Sequence, residues 1–370
     1  MNSKTFGFIG LGLIGGSIAR AIKASRPDSK IIAYAPHKET VDTAHAQGIV
    51  DEPVYSIDES FKGCDYIFLC APVEFNNRNL EVLASFIGPE TTITDIGSVK
   101  TCIHDKVKEL SLEKQFIGGH PMAGTERIGF NNSKASLLEN AYYILTKTEN
   151  TDEDRLNDYV ELVKSIGAIP LVVPYLQHDY ITAAISHVPH VISASLVNLV
   201  KDNDSEDELM KTIAAGGFKD ITRISSSSPV MWRQICTTNA DNISDLLSKY
   251  IDSLYDIKLA IDEKDEEKIE EFFASARTYR ESFIESSSGP LRQFFVLHVE
   301  IDDKPGRLAA VATLLSDNEI NIKNIGIVHN REYERGTLRI ELHDAKGLET
   351  SRKVLTVSGF QVLYVLKGKK

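Results

Sequence analysis

Cysteine is scarce: Cys64, Cys70, Cys102 and Cys236 are the four in 370 residues. They show no CxxC spacing, so neither a zinc site nor a disulfide framework is expected to organise the chain. Positive charge is also short. Lys and Arg number 41 against 53 Asp and Glu, a formal net charge of −12, and no Lys/Arg run occurs. A surface this acidic repels phosphate backbones, which excludes nucleic acid as an expected partner. An anionic substrate must then be captured by a few placed cations. Long apolar runs are missing too, for no segment approaches the ~20 apolar residues that span a bilayer. The N-terminal apolar stretch is interrupted by glycines and lacks a cleavage signature, which argues against a signal peptide. The expected setting is reducing and cytoplasmic, without a membrane partner. What is present is an ordinary globular balance of 42% hydrophobic and 25% charged residues, in a chain long enough for two or three domains.

Three blocks follow one another. In the first, residues 5–9, 30–34, 66–71, 91–95 and 116–118 read as strands, β-branched or aromatic and bounded by Gly, Pro or Asp. Helical patterns at 14–25 and 41–47 lie between them, and strands at 141–147 and 169–173 extend the series. This rhythm predicts a Rossmann-type, doubly wound, mainly parallel sheet with helices on both faces over residues 1–174. Strand signals then fade. Apolar spacing of three and four over 181–200, 206–215, 240–261 and 266–282 predicts an all-α domain at 175–288, with the acidic stretch 262–271 as a solvated helix face. Ser286-Ser287-Ser288-Gly289-Pro290 reads as a linker. Beyond it, over 291–370, strands at 294–301, 320–328, 337–342 and 361–366 and helices at 308–318 and 349–357 give βαββαβ, the ferredoxin-like order.

Gly10-Leu11-Gly12-Leu13-Ile14-Gly15 follows the first strand and opens the first helix. The chemistry of dinucleotide binding needs this arrangement: a tight turn at Gly10, close backbone approach to a pyrophosphate at Gly12, and helix–strand contact at Gly15. Leu13 and Ile14 then start the helix whose N-terminus faces the anion. The acid expected about 20 residues on, for the ribose hydroxyls, is absent from Ala33-Tyr34-Ala35-Pro36-His37-Lys38. Two alternatives stand: a 2′-phosphate met by His37 and Lys38, as in NADP, or NAD held by other contacts.

Ligands of an open parallel sheet bind outside the carboxyl ends of the strands. That edge collects Ala71 and Pro72 after the third strand, Ser98 after the fourth, and His120 after the fifth. A neutral imidazole beside a hydroxyl can accept a proton as hydride leaves the same carbon; the alternative for His120 is a capped turn histidine before Pro121. In the helical block, Pro189 is expected to kink its helix and free a carbonyl. His187 and His190 share one face there, and one of them is a candidate for substrate contact. No HExxH or carboxylate triad accompanies them, so no metal is expected. His178-Asp179 adds two further polar residues. Gly216-Gly217 near Arg223 suits close approach of a carboxylate, which guanidinium grips in bidentate fashion.

The ordered series Gly10 to Gly15, Asp95-Ile96-Gly97-Ser98-Val99-Lys100, Gly119-His120-Pro121-Met122-Ala123-Gly124-Thr125-Glu126, Ser186-His187-Val188-Pro189-His190 and Thr222-Arg223 with Met231-Trp232 resembles prephenate dehydrogenase. Asp303-Lys304-Pro305-Gly306-Arg307-Leu308, after the first strand of the last block, resembles an ACT domain. The resemblance implies oxidative decarboxylation of prephenate to 4-hydroxyphenylpyruvate in L-tyrosine biosynthesis, with NAD, or NADP because Ala35 replaces the acid. It implies His120 as base with Ser98 hydrogen-bonded to both partners, and Arg223 on the ring carboxylate. His190, Thr125 and Gly216 lie near the substrate, Glu126 and Asp220 form a gating ion network with Arg223, and Trp232 reaches the partner's site in a homodimer. It also implies feedback by L-tyrosine through the ACT domain. Arogenate dehydrogenase, a β-hydroxyacid dehydrogenase and a non-catalytic sensor are the competing readings.

Overall fold

The computed structural model describes residues 3–124, 127–286, 295–302, 304–328 and 335–367. The chain divides into two compact units, 1–258 and 259–370. The first is built on an eight-stranded sheet: β1 (Thr5–Ile9), β2 (Lys30–Tyr34), β3 (Glu52–Val54), β4 (Tyr66–Leu69), β5 (Thr92–Asp95), β6 (Phe116–Pro121), β7 (Tyr142–Lys147) and β8 (Ile169–Pro174). Their order is β3-β2-β1-β4-β5-β6-β7-β8. The strands from β3 to β6 run parallel, β7 is antiparallel to β6, and β8 is parallel to β7. Strand order reverses between β1 and β4, the switch point of a Rossmann-like sheet.

Side-chain alternation sets the two faces. Phe6, Phe8, Ile31, Ala33, Tyr66 and Phe68 join α1 (Leu13–Ser25) and α5 (Glu153–Ser165) in one core. Ile9, Ile32, Ile67, Leu69 and Ile93 join α3 (Val73–Ala84) and α4 (Thr101–Glu109) in the other. The short α2 (Lys38–Ala46) follows β2, and buries Val41 and Ala44 in the first core.

Two corrections concern the strands. The edge strand β3, Glu-Pro-Val, was not expected, because three such residues carry no alternating signal. The strand expected at 116–118 continues to Pro121, so His120 lies within β6 rather than beyond it. The antiparallel neighbour β7 supplies the pairing, with Gly119 opposite Leu145 and His120 opposite Ile144. Two glycines gave no strand propensity to read. Packing requires glycine at 119, where a Cβ would lie 2.6 Å from the Asp95 carbonyl oxygen.

After β8, α6 (Tyr175–Thr182), a π-helical turn (Ala183–His187) and α7 (Val188–Asn203) form one continuous helix of 29 residues. Its length and composition suffice for a membrane crossing, contrary to the expectation that no run comes near this. Its His178, Asp179, Thr182, His187 and Ser193 are nevertheless buried polar residues. In the π turn the Val188 N–H bonds to the Ala183 carbonyl, so the misfit expected at Pro189 is taken up before it. There follow α8 (Leu209–Ile213), α9 (Gly216–Thr222), a 3₁₀ turn (Arg223–Ser226), α10 (Pro229–Thr238) and α11 (Ala240–Glu263).

The second unit contains α12 (Glu266–Ser286), β9 (Phe295–Asp302), α13 (Arg307–Asp317), β10 (Ile322–Val328), β11 (Arg335–Leu342), α14 (Ala345–Val357) and β12 (Val362–Lys367). The antiparallel order β10-β11-β9-β12 is ferredoxin-like. Leu297, Val299 and Leu338 of this sheet pack with Val311, Leu315, Leu348 and Leu355 of its two helices. The expected linker lies outside the described residues apart from Ser286, as does Asp303.

One buried ion pair fixes the turn that carries Ser98. Lys100 Nζ donates to Asp95 Oδ2, with the two side chains 0% and 2% exposed. The same Oδ2 accepts the Gly97 N–H at 2.9 Å, and Oδ1 accepts the Gly119 N–H at 3.2 Å. Asp95 therefore ties the turn after β5 to the strand that bears His120. Removing one partner leaves the other charge buried and unpaired. Lys100→Met should lower the free energy of unfolding by about 3–5 kcal/mol. Adding Asp95→Asn to it should cost less than the two single changes summed, as read from denaturant unfolding of all four proteins; additive losses would contradict the coupling.

Candidate active site

At the carboxyl end of β1, Gly10 has φ +96° and donates its N–H to the Tyr34 carbonyl at 2.8 Å. Only a residue without a Cβ fits, because one would lie 2.9 Å from the Cys70 carbonyl carbon. A Cβ added at Gly12 would meet nothing, and Gly12 caps α1 without a side-chain hydrogen bond. No acidic residue sits in the first turn, so the N-terminal N–H groups beside Leu13 and Ile14 face a space suited to an anion. Gly15 lies against Cys70, whose Sγ would be 3.0 Å from an added Cβ. Across the switch point, the Ala71 N–H bonds to Asn76 Oδ1 at 3.1 Å, and Pro72 caps α3. These residues fit a dinucleotide phosphate. At the end of β2, Ala35 is buried and His37 caps α2 without a side-chain bond. Lys38 Nζ lies 4.5 Å from the centre of the Tyr55 ring, and the Tyr55 hydroxyl donates to Asp42 at 2.7 Å.

His120 extends from β6 toward α6. Its Nδ1 lies 2.8 Å from His178 Nε2, and His178 Nδ1 lies 2.8 Å from Asp179 Oδ1. Asp179 accepts the Lys100 N–H at 2.7 Å on Oδ1, and the Thr101 N–H at 2.7 Å and hydroxyl at 2.6 Å on Oδ2. The start of α4 and the start of the long helix are thereby joined. Burial pushes the His120 pKa well below the ordinary histidine range, and electrostatic interactions with His178, Lys100 and His187 push it the same way. Such a ring is uncharged near neutrality and can take a proton. Ser98 stands in the turn beside it, partly buried, with no hydrogen-bond partner for its hydroxyl among the described residues.

A second cluster surrounds Trp232. His190 stacks on it with ring centres 4.0 Å apart, and His187 meets it edge-on at 6.0 Å. Among the described residues the buried indole N–H of Trp232 has no hydrogen-bond partner. His190 Nδ1 bonds to the Ser186 carbonyl at 2.8 Å; a carbonyl only accepts, so Nδ1 carries the hydrogen and Nε2 is the acceptor. Burial lowers the His190 pKa, the Ser186 carbonyl opposes this, and the Arg223 charge lowers it again. His187 is pushed down to about 4 by burial; its Nδ1 lies 3.2 Å from Asn239 Nδ2, which also donates to the Asp179 carbonyl at 2.8 Å. The clusters of His120 and Trp232 therefore meet through Asp179 and Asn239.

Gly216 opens α9, which carries the exposed Asp220 and leads into the exposed Arg223. Thr125 and Glu126 lie outside the described residues. Among the described residues no group of three or more His, Cys, Asp or Glu could hold a metal ion. Sequence reasoning gave no roles to Asp95, Lys100, His178, Asp179 or Asn239. The first four stood inside quoted motifs or polar pairs, and their charge next to candidate residues was the available signal. Asn239 carried none.

Two family models match this chain: the nucleotide-binding domain of prephenate dehydrogenase over residues 18–172, and its dimerization domain over residues 176–275. The prephenate dehydrogenase of Bacillus subtilis is 38% identical over 90% of both chains. That of Lactococcus lactis is 34% identical over 94% of this chain and 96% of its own. The solved structure of prephenate dehydrogenase from A. aeolicus, in complex with hydroxyphenyl propionate and NAD+, is similar with a TM-score of 0.72 at 31% identity, covering 76% of this chain and 99% of that one. The arogenate dehydrogenase of Synechocystis gives a TM-score of 0.68 at 28% identity, covering 75% of this chain and 99% of its own. A Rossmann-like sheet with a glycine loop, a helical segment bearing paired histidines, and likeness over nine-tenths of the curated relatives' length make this chain a member of the prephenate dehydrogenase family.

Proposed function

We propose that the chain catalyses the oxidative decarboxylation of prephenate to 4-hydroxyphenylpyruvate, as a cytoplasmic enzyme of L-tyrosine biosynthesis. The observation that carries the reading is His120, a partly buried imidazole held by His178 and kept uncharged on the sheet edge that also bears the glycine loop. Residues 1–174 hold the cofactor, 175–288 complete the substrate site and pair two copies, and 291–370 regulate.

Gly10, Gly12, Leu13, Ile14, Gly15, Ala71 and Pro72 would hold a nicotinamide dinucleotide, which supplies the hydride acceptor when bound. NAD is the proposed cofactor; with Ala35 in place of an acid, His37 and Lys38 remain as donors for the 2′-phosphate of NADP. His120 takes the proton of the ring C4 hydroxyl, and Ser98 offers its unpaired hydroxyl to the same oxygen. Loss of the ring carboxylate as CO2 restores aromaticity, so the departing group needs orientation more than activation. Arg223 grips that carboxylate, and the packing of its 3₁₀ turn against α7, the helix that carries His190, supports this role. Gly216, His190, Thr125 and Trp232 complete the pocket, and Glu126 with Asp220 governs access to Arg223. Exposed Leu176, Tyr180, Ile185, Leu199 and Ile221 form apolar surface in the single chain, suited to cover by a second copy.

The ferredoxin-like unit supports reading 291–370 as an ACT domain that binds L-tyrosine. Gly306, at φ +86°, turns the chain into α13 directly after β9. Tyrosine inhibits only if it favours one conformational state. Inhibition curves of the full chain and of a chain ending at residue 286 should differ, with loss of sensitivity in the shorter one; superimposable curves would exclude the domain as the sensor.

The pH–rate profile tests the base. The uncharged form of His120 is the active one, and its pKa lies well below the ordinary ~6.5. Wild-type kcat/KM should therefore hold as pH falls through that range and drop only below it. His120→Asn should lower kcat by about 10²–10⁴-fold with KM for prephenate little changed. A wild-type midpoint at or above ~6.5, or normal turnover in the variant, would contradict the assignment.

A further inference from the structure

We propose that His178 and Asp179 are positioning residues that hold the His120 ring with its Nε2 bare and aimed at the reacting hydroxyl. The proposal rests on the reading of His120 as the base and adds what fixes its tautomer.

The hydrogens are ordered from the Asp179 end. Asp179 is 1% exposed and accepts four donors: the N–H groups of Lys100 and Thr101, the Thr101 hydroxyl, and the His178 ring. Burial alone would raise its pKa, but these hydrogen bonds outweigh it and hold the pKa below the usual value. An ionised carboxylate only accepts, so His178 Nδ1 carries the hydrogen on that side. Burial also lowers the pKa of His178, against the opposing pull of Asp179, so the ring is neutral near pH 7. A neutral imidazole with Nδ1–H has Nε2 as its acceptor. That Nε2 is 2.8 Å from His120 Nδ1, which must therefore supply the hydrogen. His120 then has no hydrogen on Nε2, and the lone pair there is the one available to substrate.

The proton balance is simple. The substrate hydroxyl proton moves to His120 Nε2 and stays there, giving an imidazolium that still donates through Nδ1 to His178. No proton passes to Asp179, whose charge stabilises the imidazolium through the intervening ring. Besides His178, the groups that act on His120 are Lys100, held by Asp95, and His187, held by Asn239. Neither occupies His120 Nδ1. An anchoring role for Asp179 alone, tying the long helix to α4, would not need the His178 ring to be committed to His120.

The test uses the full chain with prephenate and NAD+. In Asp179→Asn, the new amide can donate to His178 Nδ1, which sends the hydrogen to His178 Nε2 and on to His120 Nε2. The expected loss in kcat is on the order of 10²–10⁴-fold, with KM within about threefold. The residual rate should climb with pH over roughly pH 7 to 10 as hydroxide replaces the blocked base, a response that a merely structural defect would not produce. His178→Leu breaks the relay but leaves Asp179 on its Lys100 and Thr101 donors, so it tests the idea even if the first variant folds poorly. Its kcat should fall roughly 10–100-fold, again with KM little changed. Either variant turning over within threefold of wild type would overturn the proposal. Wild-type turnover in the same assay separates that failure from failure of the prephenate reading itself.

Discussion

Everything at the candidate site depends on keeping a carboxylate buried. An ion such as Asp179 survives removal from water only when donors fill its lone pairs. Here the donors are the N–H groups of Lys100, which caps α4, and of Thr101, which opens it, with a hydroxyl and an imidazole, and satisfying them fixes the geometry. The start of the long helix cannot shift without uncovering that charge. Asp95 repeats the logic one turn away, where Lys100, Gly97 and Gly119 fill its oxygens. Lys100 serves both carboxylates, with its ammonium on one and its backbone N–H on the other. A single residue thus braces the Ser98 turn, the His120 strand and the helical segment.

That arrangement suits a reaction whose chemical demands are modest. Aromatisation drives loss of the carboxylate, so the protein has to supply a placed base, a placed cation and a site for the cofactor. Precision of placement then matters more than strength of interaction. Buried charges satisfied by fixed donors are rigid in the required way, because any displacement leaves a costly unpaired group. The Trp232 cluster extends the same frame, since Asn239 bonds at once to the Asp179 carbonyl and to His187.

The sheet was legible from sequence because β-branched and aromatic runs alternate with helical periods, and the glycine loop sits where its geometry requires it. The βαββαβ order of the last unit was legible for the same reason. Legibility failed where tertiary partners overrode local signals. Gly118 and Gly119 carry little strand propensity, yet β7 pairs with them and draws His120 into the strand. The π turn before Pro189 had no sequence signal of its own. His120, His187, His190 and Arg223 stood out by residue type and position. Asp179 did not, because its significance lies in four donors that come together only in three dimensions, and Asn239 gave no signal at all.

The position of one hydrogen decides whether His120 can act as the base. Nitrogen-15 chemical shifts of the histidine side chains near pH 7, with His120 assigned by comparison with His120→Asn, report directly which ring nitrogen is protonated. A protonated Nδ1 and a bare Nε2 are expected for His120. A hydrogen on Nε2, or a doubly protonated ring at that pH, would contradict this.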